Sequence, residues 1–376
     1  MNSFTFIHTA DLHLDLPVRG WRGDEKRLMI RREEYRHTFK RMIDLAKERE
    51  VDFFLIAGDF LEHETVSRST VEWVIRLLGE ISNTRVWIAP GNHDPYRNDS
   101  FYRTLRWPEN VHIFSEKWEE HKFAELGVRI YGKGFSDYEE TKSSLPQIHG
   151  TDDRRIMVVH GTYGEEQSSY FPLSREGLMS VEMDYIALGH IHKPMTERLA
   201  NRRKTLIRYP GSPEGLNWKE TGERTVSLVT CDEQGFHLEE VPIESRRYEV
   251  DQVDVTGLEH MDQILDHVRE AATDDKSKNA YRRVQLVGRR RPDLAFNLDW
   301  MTHQLEEQGF GYLEWLDETK PDFDLEQLRS SDGVIGAFIR RMDQRIKTAE
   351  ESQQEVLTRA LYKGLDTLLM PGGNRR

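Results

Sequence analysis

The 376-residue sequence contains a single cysteine, Cys231. One thiol can form neither an internal disulfide nor a thiolate zinc cluster, so the sequence excludes a disulfide-stapled fold and a cysteine-based zinc module. It also lacks any run of the roughly 20 apolar residues that a membrane-spanning helix needs. The first residues carry no basic segment or cleavage signature of a secretory signal. We therefore predict a cytoplasmic protein with no membrane association.

An excess of positive charge is also absent, because the formal net charge is −13. This balance argues against a protein that coats nucleic acid by bulk electrostatics, but it leaves local basic patches open. The basic runs are Arg19, Arg22, Lys26 and Arg27; Arg202, Arg203 and Lys204; and Arg282, Arg283, Arg289, Arg290 and Arg291. Each run is either a solvated surface or a phosphate-binding patch, and the sequence alone does not decide between them.

Short apolar segments alternate with amphipathic segments through the first two thirds of the chain. This alternation, followed by a strand-rich stretch, predicts an α/β core with layered sheets. Strands are predicted at 4–8, 51–57, 85–89, 128–131, 156–159, 185–188, 205–209, 225–231 and 237–242, and helices at 31–50 and 68–81.

The composition changes near residue 245. We predict a core domain at 1–245, a small α+β domain with a βαβαβ pattern at 246–322, and a helical segment at 323–376. Apolar residues recur at helical spacing in that last segment, from Ile335 to Leu368. The stripe is explained either by a helix that folds back on its own domain or by a docking surface for a partner.

Five polar motifs follow predicted strands in order. They are Asp11-Leu12-His13, Gly58-Asp59, Gly91-Asn92-His93-Asp94, His160-Gly161 and Gly189-His190-Ile191-His192. Loops at the carboxyl ends of strands are where α/β folds bind ligands. Carboxylate and amide oxygens together with imidazole nitrogens suit two divalent cations that share a hydrolytic site. We expect Asp11 and His13, and likewise His190 and His192, to project from one side of extended backbone.

These motifs resemble those of the calcineurin-like metallophosphoesterase superfamily, over roughly residues 4–215. The resemblance implies a layered α/β/β/α sandwich and two metal ions. It assigns Asp11, His13 and His192 to the first metal, Asn92, His160 and His190 to the second, and Asp59 to a bridge between them.

The same resemblance gives His93 a catalytic role at the scissile phosphate, with Asp94 as the residue that orients it. The sequence departs from the family at Glu62, where the superfamily usually has Asp three residues after the bridging Asp. Since that position is not a metal ligand in the family pattern, we expect the change to matter little.

The residues around the motifs resemble those of bacterial DNA-repair exonucleases of the SbcD and YhaO type. The stretches that carry this resemblance are 8–15, 57–60, 90–95, 187–194, 209–215 and 219–222. It implies manganese-dependent hydrolysis of DNA phosphodiester bonds by a water that two metals activate. It also implies that the small domain caps the core and recognises DNA. Candidate phosphate contacts are Arg22, Arg282, Arg283, Arg289, Arg290 and Arg291.

The family resemblance further implies a coiled-coil, SMC-like ATPase partner docked on the C-terminal helices, and a homodimer. Two rival functions stay open. One is a phosphodiesterase or phosphatase acting on a small nucleotide, which needs a closed pocket rather than a groove. The other is a non-catalytic protein that binds DNA ends for an ATPase complex. His93 argues against that second rival, because a pure binder has no need of a leaving-group acid.

Overall fold

The structure is a computed structural model that describes residues 3–17, 25–148 and 152–369. The chain divides into two units, Met1–Arg247 and Tyr248–Arg376. The second unit thus takes in both the predicted small domain and the helical segment that we placed separately at 323–376. Within the described ranges, no helix combines the length and the apolar character needed to cross a bilayer.

The first unit contains two six-stranded sheets. Its strands are β1 Phe4–Thr9, β2 Phe53–Ile56, β3 Arg85–Ile88, β4 Val111–Ile113, β5 Glu119–Phe123, β6 Val128–Lys133, β7 Arg154–His160, β8 Tyr185–Gly189, β9 Met195–Arg198, β10 Leu206–Tyr209, β11 Thr225–Asp232 and β12 Gly235–Pro242. The strand orders are β12-β11-β1-β2-β3-β4 and β5-β6-β7-β8-β10-β9. Its helices are α1 Glu25–Glu48, α2 Arg68–Gly79, α3 Phe101–Thr104 and α4 Arg175–Ser180.

Alternate residues of the central strands pack into different layers. In β2, Phe53 and Leu55 join an apolar cluster that also takes in Ile156 and Val158 of β7, so this cluster lies between the two sheets. Phe54 and its neighbours on the opposite face join a cluster with residues of α1 and α2. Because both faces are buried, the strands show continuous apolar runs rather than alternation. The predicted α/β/β/α sandwich is confirmed.

The second unit has a three-stranded parallel sheet in the order β13-β14-β16. Its elements in chain order are β13 Tyr248–Asp254, α5 Met261–Ala271, α6 Asp275–Lys278, β14 Tyr281–Val287, β15 Arg289–Arg290, α7 Leu298–Glu306, β16 Tyr312–Asp317, β17 Lys320–Pro321, α8 Leu325–Ser330, α9 Val334–Thr348 and α10 Glu351–Leu369. A small apolar cluster joins Ile339 and Met342 of α9 to Leu361 and Leu365 of α10. The apolar stripe of the C-terminal segment is thus partly buried within its own unit.

His8 of β1 is fully buried and bonded through Nδ1 to the hydroxyl of Tyr185, at 2.9 Å. Burial, with Coulomb repulsion from Arg208, lowers the pKa of His8 from 6.5 to about 3. Below pH 6.5 the unfolded chain binds a proton that folded His8 does not accept until about pH 3. The buried neutral His8 therefore costs no free energy of unfolding above pH 6.5. Below pH 6.5 the free energy of unfolding falls progressively as the pH falls toward 3.

We expect His8→Gln, which keeps a neutral polar group at this position, to remove that pH dependence. Between pH 7 and pH 5 the variant should lose about 2 kcal/mol less unfolding free energy than the wild type. Urea unfolding of the full chain across this pH range measures the difference, with the exposed His237→Gln as a control that keeps the wild-type slope. Parallel pH curves for His8→Gln and wild type would show that His8 is not held neutral.

Candidate metal centre

All seven predicted ligands lie at one edge of the sandwich, at or just beyond the ends of the strands that carry them. Asp11 and His13 follow β1, Asp59 follows β2, and Asn92 follows β3. His160 ends β7, whereas His190 and His192 follow β8. Strands β1 to β3 run parallel to one another, and so do β7 and β8. Parallel strands bring their carboxyl ends to the same edge, which is why motifs far apart in sequence meet here.

The backbone of the ligand loops is left-handed rather than extended. Asp11, His13, Asp59 and His190 have φ of 56°, 48°, 49° and 106°. The expectation of extended backbone at Asp-x-His and His-x-His is therefore wrong. A positive φ costs a residue with a side chain on the order of 1–3 kcal/mol and persists only where its surroundings enforce it. Hydrogen bonds from Asp11 N to Gly58 O (3.0 Å) and from His13 N to Asp59 O (2.9 Å) enforce it here.

The glycines of the motifs let the backbone approach the ligand side chains. A Cβ built on Gly58 would lie 2.4 Å from Nδ1 of His160, and one on Gly91 would lie 2.3 Å from Oδ1 of Asp59. Neither neighbour can withdraw without displacing a ligand. We therefore attribute Gly58 and Gly91 to the packing of the centre itself.

The donor atoms form two groups, and the carboxylate of Asp59 lies close to both. Asp11, His13 and His192 place one donor each within 4.8 Å of one another, and Asp59, His160 and His190 do the same. Oδ2 of Asp59 lies 3.7 Å from Nε2 of His13 and 3.3 Å from Nε2 of His160. This carboxylate oxygen therefore faces both groups, as a bridging ligand must.

Asn92 completes the second group. Its Oδ1 lies 3.0 Å from Nε2 of His160 and 3.2 Å from Nδ1 of His190. The other ring nitrogen of His160 donates to Ala57 O at 2.9 Å, which leaves Nε2 facing the centre. Asn92 thus adds a neutral oxygen to the group.

Burial disfavours the charged form of the two carboxylates of the centre, so nearby positive charge is needed to keep them ionised. Burial raises the pKa of Asp11. Burial also raises the pKa of Asp59, but the neighbouring charge and hydrogen bond of His160 outweigh it and lower that pKa overall. Within the described residues, Nε2 of His13 is buried and has no hydrogen-bond partner. A buried nitrogen without a partner that faces a carboxylate is satisfied by a metal, and oxygen and imidazole donors suit borderline divalent ions.

His93 stands beside the two groups and is oriented by Glu62, not by Asp94. Its Nδ1 donates to Oε1 of Glu62 at 3.0 Å, and its ring packs edge-on against that of His13 with centroids 4.7 Å apart. The hydrogen bond to Glu62, opposed by partial burial, raises the pKa of His93 to about 9. Glu62 also accepts from Nδ1 of His13 at 3.3 Å. The spacing of Glu62 from Asp59 is the sequence signal that could have indicated this role.

Asp94 instead holds the loops of the centre together. Its buried carboxylate accepts hydrogen bonds from the backbone N–H groups of Asp59, Phe60, Leu61 and Gly91 and from the hydroxyl of Tyr102, at 2.6–3.1 Å. These donors use the carboxylate for backbone support and leave His93 to Glu62. The prediction that Asp94 orients His93 is therefore wrong.

Residues 4–194, just over half of the chain, match the calcineurin-like phosphoesterase family. The chain belongs to this family. It is therefore a metal-dependent hydrolase. Members of this family use a site for two divalent metal ions. The resemblance inferred from the motifs is confirmed.

The chain resembles several curated proteins of this phosphoesterase family. It is 30% identical over 298 residues to the uncharacterized metallophosphoesterase YhaO of Bacillus subtilis. The match covers 76% of this chain and 72% of YhaO. It is 27% identical over 296 residues to the DNA double-strand break repair protein Mre11 of Methanopyrus kandleri, covering 70% of this chain and 62% of Mre11. It is 22% identical over 265 residues to the SbcD component of the nuclease SbcCD of B. subtilis, covering 59% of this chain and 65% of SbcD. The chain thus spans less than two thirds of the last two relatives.

The arginines that we predicted as phosphate contacts are engaged with acidic groups of the second unit. Arg282 is 1% exposed and pairs with Asp251, so it supports the unit from within. The ion-pair partners of the others are Glu314 for Arg283, Asp322 for Arg289, Asp366 for Arg290, and Asp293 and Glu259 for Arg291. The side chains of Arg289 and Arg291 are about half exposed, at 55% and 49%. Arg22 lies outside the described residues.

A second carboxylate, missed in the sequence, supports a ligand of this phosphoesterase centre. Nδ1 of His192 donates to Oε1 of Glu220 at 3.1 Å. Glu220 is itself fixed by donors from Ser212 Oγ (2.7 Å), Leu216 N (3.1 Å) and Asn217 Nδ2 (2.8 Å). Although burial raises the pKa of Glu220, the hydrogen bond and charge of His192, together with the donors Ser212 and Leu216, lower that pKa overall. In the sequence, Glu220 stands out only as part of the 219–222 stretch that carries the family resemblance.

We expect Glu220→Gln to weaken metal binding about 10- to 100-fold, the usual effect of losing a carboxylate that orients a ligating histidine. The reason is that Gln cannot stabilise the imidazole of His192 as an anion does. Titration of Mn²⁺ into the metal-free protein by calorimetry measures the change. The exposed Glu223→Gln is the matched control and should bind as the wild type does. Equal affinities for Glu220→Gln and Glu223→Gln would remove Glu220 from the centre.

Proposed function

We propose that this protein is a DNA exonuclease that hydrolyses phosphodiester bonds with two manganese ions. The observation that carries the proposal is the position of His93. Its side chain is 43% exposed and held by Glu62, directly beside the predicted metal ligands, most of which are buried. The names of two relatives, a double-strand break repair protein and a component of a nuclease, support DNA as the substrate.

The seven ligands have one shared task, which is to hold the two cations. Asp11, His13 and His192 would hold the first; Asn92, His160 and His190 would hold the second; and Asp59 would be the ligand shared by both. When bound, such a pair polarises a phosphoryl oxygen and makes water a competent nucleophile near neutral pH.

His93 supplies the proton. Its pKa of about 9 keeps the imidazole protonated at neutral pH. A protonated imidazole at the mouth of the centre can stabilise the developing negative charge and protonate the leaving oxygen. Glu62 holds the ring through Nδ1, so that Nε2 is the nitrogen left for the substrate.

We propose that the second unit contacts DNA and that its C-terminal helices bind a partner protein. Arg289 and Arg291 are the arginines of this unit whose exposure best suits phosphate contact. Val356 and Leu368 of α10 are 66% and 39% exposed beside the buried Leu361 and Leu365. This partly covered apolar helix suits docking of a coiled-coil ATPase, as in helix-in-groove recognition. A homodimer and a cytoplasmic location stay predictions.

The ion pairs of the arginines favour a second candidate, a phosphodiesterase that acts on a small nucleotide. Each of the five arginines from Arg282 to Arg291 has an acidic partner. A DNA phosphate must compete with those partners, whereas a small nucleotide needs none of the five.

The substrate class is tested with end-labelled linear DNA and bis-p-nitrophenyl phosphate, each with Mn²⁺. We expect progressive shortening of the DNA and hydrolysis of the small ester, both abolished by Asp59→Ala, which removes the bridging ligand. Hydrolysis of the small ester with intact DNA would contradict the exonuclease proposal and favour the small nucleotide. Shortening that persists in Asp59→Ala would point to a contaminating nuclease.

The role of His93 is tested by His93→Ala. We expect the rate of DNA shortening to fall about 10²- to 10⁴-fold, the usual contribution of a general acid, because the alkoxide leaving group of DNA needs a proton whereas p-nitrophenolate leaves without one. The Mn²⁺ content should stay at the wild-type value, because the bond from His93 N to Oδ1 of Asp59 (2.8 Å) is made by the backbone. Parallel loss of metal and activity would make His93 a structural residue, and unchanged activity would exclude it from catalysis.

A further inference from the structure

Two histidines and a glutamate meet at the edge of the sandwich, among residues that the proposed reaction does not use. His112, Glu119 and His121 each place one donor within 4.8 Å of the others. Nε2 of His112 lies 2.8 Å from Oε2 of Glu119, and Nε2 of His121 lies 3.5 Å from the same oxygen. One carboxylate oxygen and two imidazole nitrogens therefore converge on one point.

The strands place these side chains on facing surfaces. His112 lies in β4, the edge strand of the first sheet, opposite Trp87 of β3. Glu119 and His121 lie in β5, the edge strand of the second sheet, on the same face as Phe123. Phe123 packs against Phe53 and Trp87 of the first sheet, so this face of β5 looks toward it. The cluster therefore joins the two sheets where the chain crosses from one to the other.

The carboxylate is aimed by a second set of donors. Oε1 of Glu119 accepts from Ser115 N at 2.8 Å and from Ser115 Oγ at 2.7 Å. Since Oε1 is occupied, Oε2 is the oxygen presented to both imidazoles. Supporting hydrogen bonds of this kind orient the carboxylates and histidines of metal sites.

An apolar wall closes one side of the cluster and solvent reaches the other. The ring of Trp87, which is buried, lies 4.9 Å from that of His112 and 4.6 Å from that of His121, between centroids. The side chains of His112, Glu119 and His121 are 36%, 27% and 32% exposed. A cation can therefore enter from solvent and keep a water ligand, while the wall limits the movement of the two rings.

We propose that His112, Glu119 and His121 bind one zinc-type divalent cation, at a site that shares no residue with the catalytic centre. Two histidines, one glutamate and a water make a four-coordinate set that zinc accepts. Tetrahedral zinc with bonds of about 2.0–2.1 Å places its ligand atoms roughly 3.4 Å apart. The 3.5 Å pair already has this spacing, and the 2.8 Å pair reaches it by a small rotation of two part-exposed side chains. The bound ion ties β4 to β5 and so links the two sheets.

Zinc stoichiometry distinguishes this site from a simple ion-pair cluster. The full chain and the variants Glu119→Gln and His121→Ala are dialysed against buffered Zn²⁺, and bound zinc is measured by mass spectrometry. We expect each variant to bind one zinc per chain fewer than the wild type, because zinc in the catalytic centre contributes equally to all. The exposed His237→Ala, whose ring pairs with Asp232, is the matched control and should keep the wild-type number. Equal stoichiometry in wild type and variants would overturn the proposal.

A measurement on the unaltered protein guards against a variant that fails to fold. Diethyl pyrocarbonate modifies accessible neutral imidazoles, and peptide mapping identifies which histidines have reacted. Zn²⁺ should protect His112 and His121 at least tenfold while His237 reacts at an unchanged rate. Modification of His112 and His121 at the same rate with and without Zn²⁺ would overturn the proposal independently of any substitution.

Discussion

The metal centre depends on one buried carboxylate, that of Asp94. It accepts four backbone N–H groups from the Asp59 and Gly91 loops and the hydroxyl of Tyr102. Charge-assisted bonds of this kind are about twice as strong as neutral ones and tolerate little movement. They fix two loops from neighbouring strands against each other. The position of Asp59, the ligand that faces both metal groups, follows from this contact.

The backbone strain of the site lies in the predicted ligands themselves. Four of the seven ligands have positive φ, and none of these four is glycine. Two of these residues also donate backbone hydrogen bonds to other predicted ligands, His190 N to Oδ1 of Asp11 and His13 N to Asp59 O, both at 2.9 Å. The ligands therefore hold one another in place before any cation binds. Such preorganisation reduces the rearrangement that binding requires.

Much of the fold could be predicted from the sequence, and so could the residues that come together at the candidate metal centre. The central strands are buried on both faces, so they are visible as apolar runs, and each ligand motif begins where a run stops. The edge strands β4, β5 and β9 were missed because they are short and carry many polar residues. The cluster of His112, Glu119 and His121 was missed for the same reason, since it depends on how two edge strands face each other.

Side-chain partnerships were harder to predict than ligands. The family resemblance implies that Asp94 orients His93, but the Asp94 carboxylate bonds to the Asp59 loop and Glu62 bonds to the imidazole. Glu220 lies 28 residues from His192, and only the folded loop after β10 brings them together. Arg282 is predicted as a phosphate contact with the other arginines, although its side chain is buried on β14, the central strand of its sheet. Sequence spacing identifies groups that share a motif, but contacts between motifs require the fold.

The central claim is that Asp59 bridges two metal ions, and electron paramagnetic resonance of the Mn²⁺-loaded protein tests it most directly. Two Mn²⁺ ions joined by a carboxylate couple magnetically and give a multiline signal unlike that of isolated ions. The account predicts this coupled signal at two equivalents of Mn²⁺ in the wild type and its replacement by the six-line signal of isolated Mn²⁺ in Asp59→Asn. A wild-type protein that shows only isolated Mn²⁺ at every loading would contradict it.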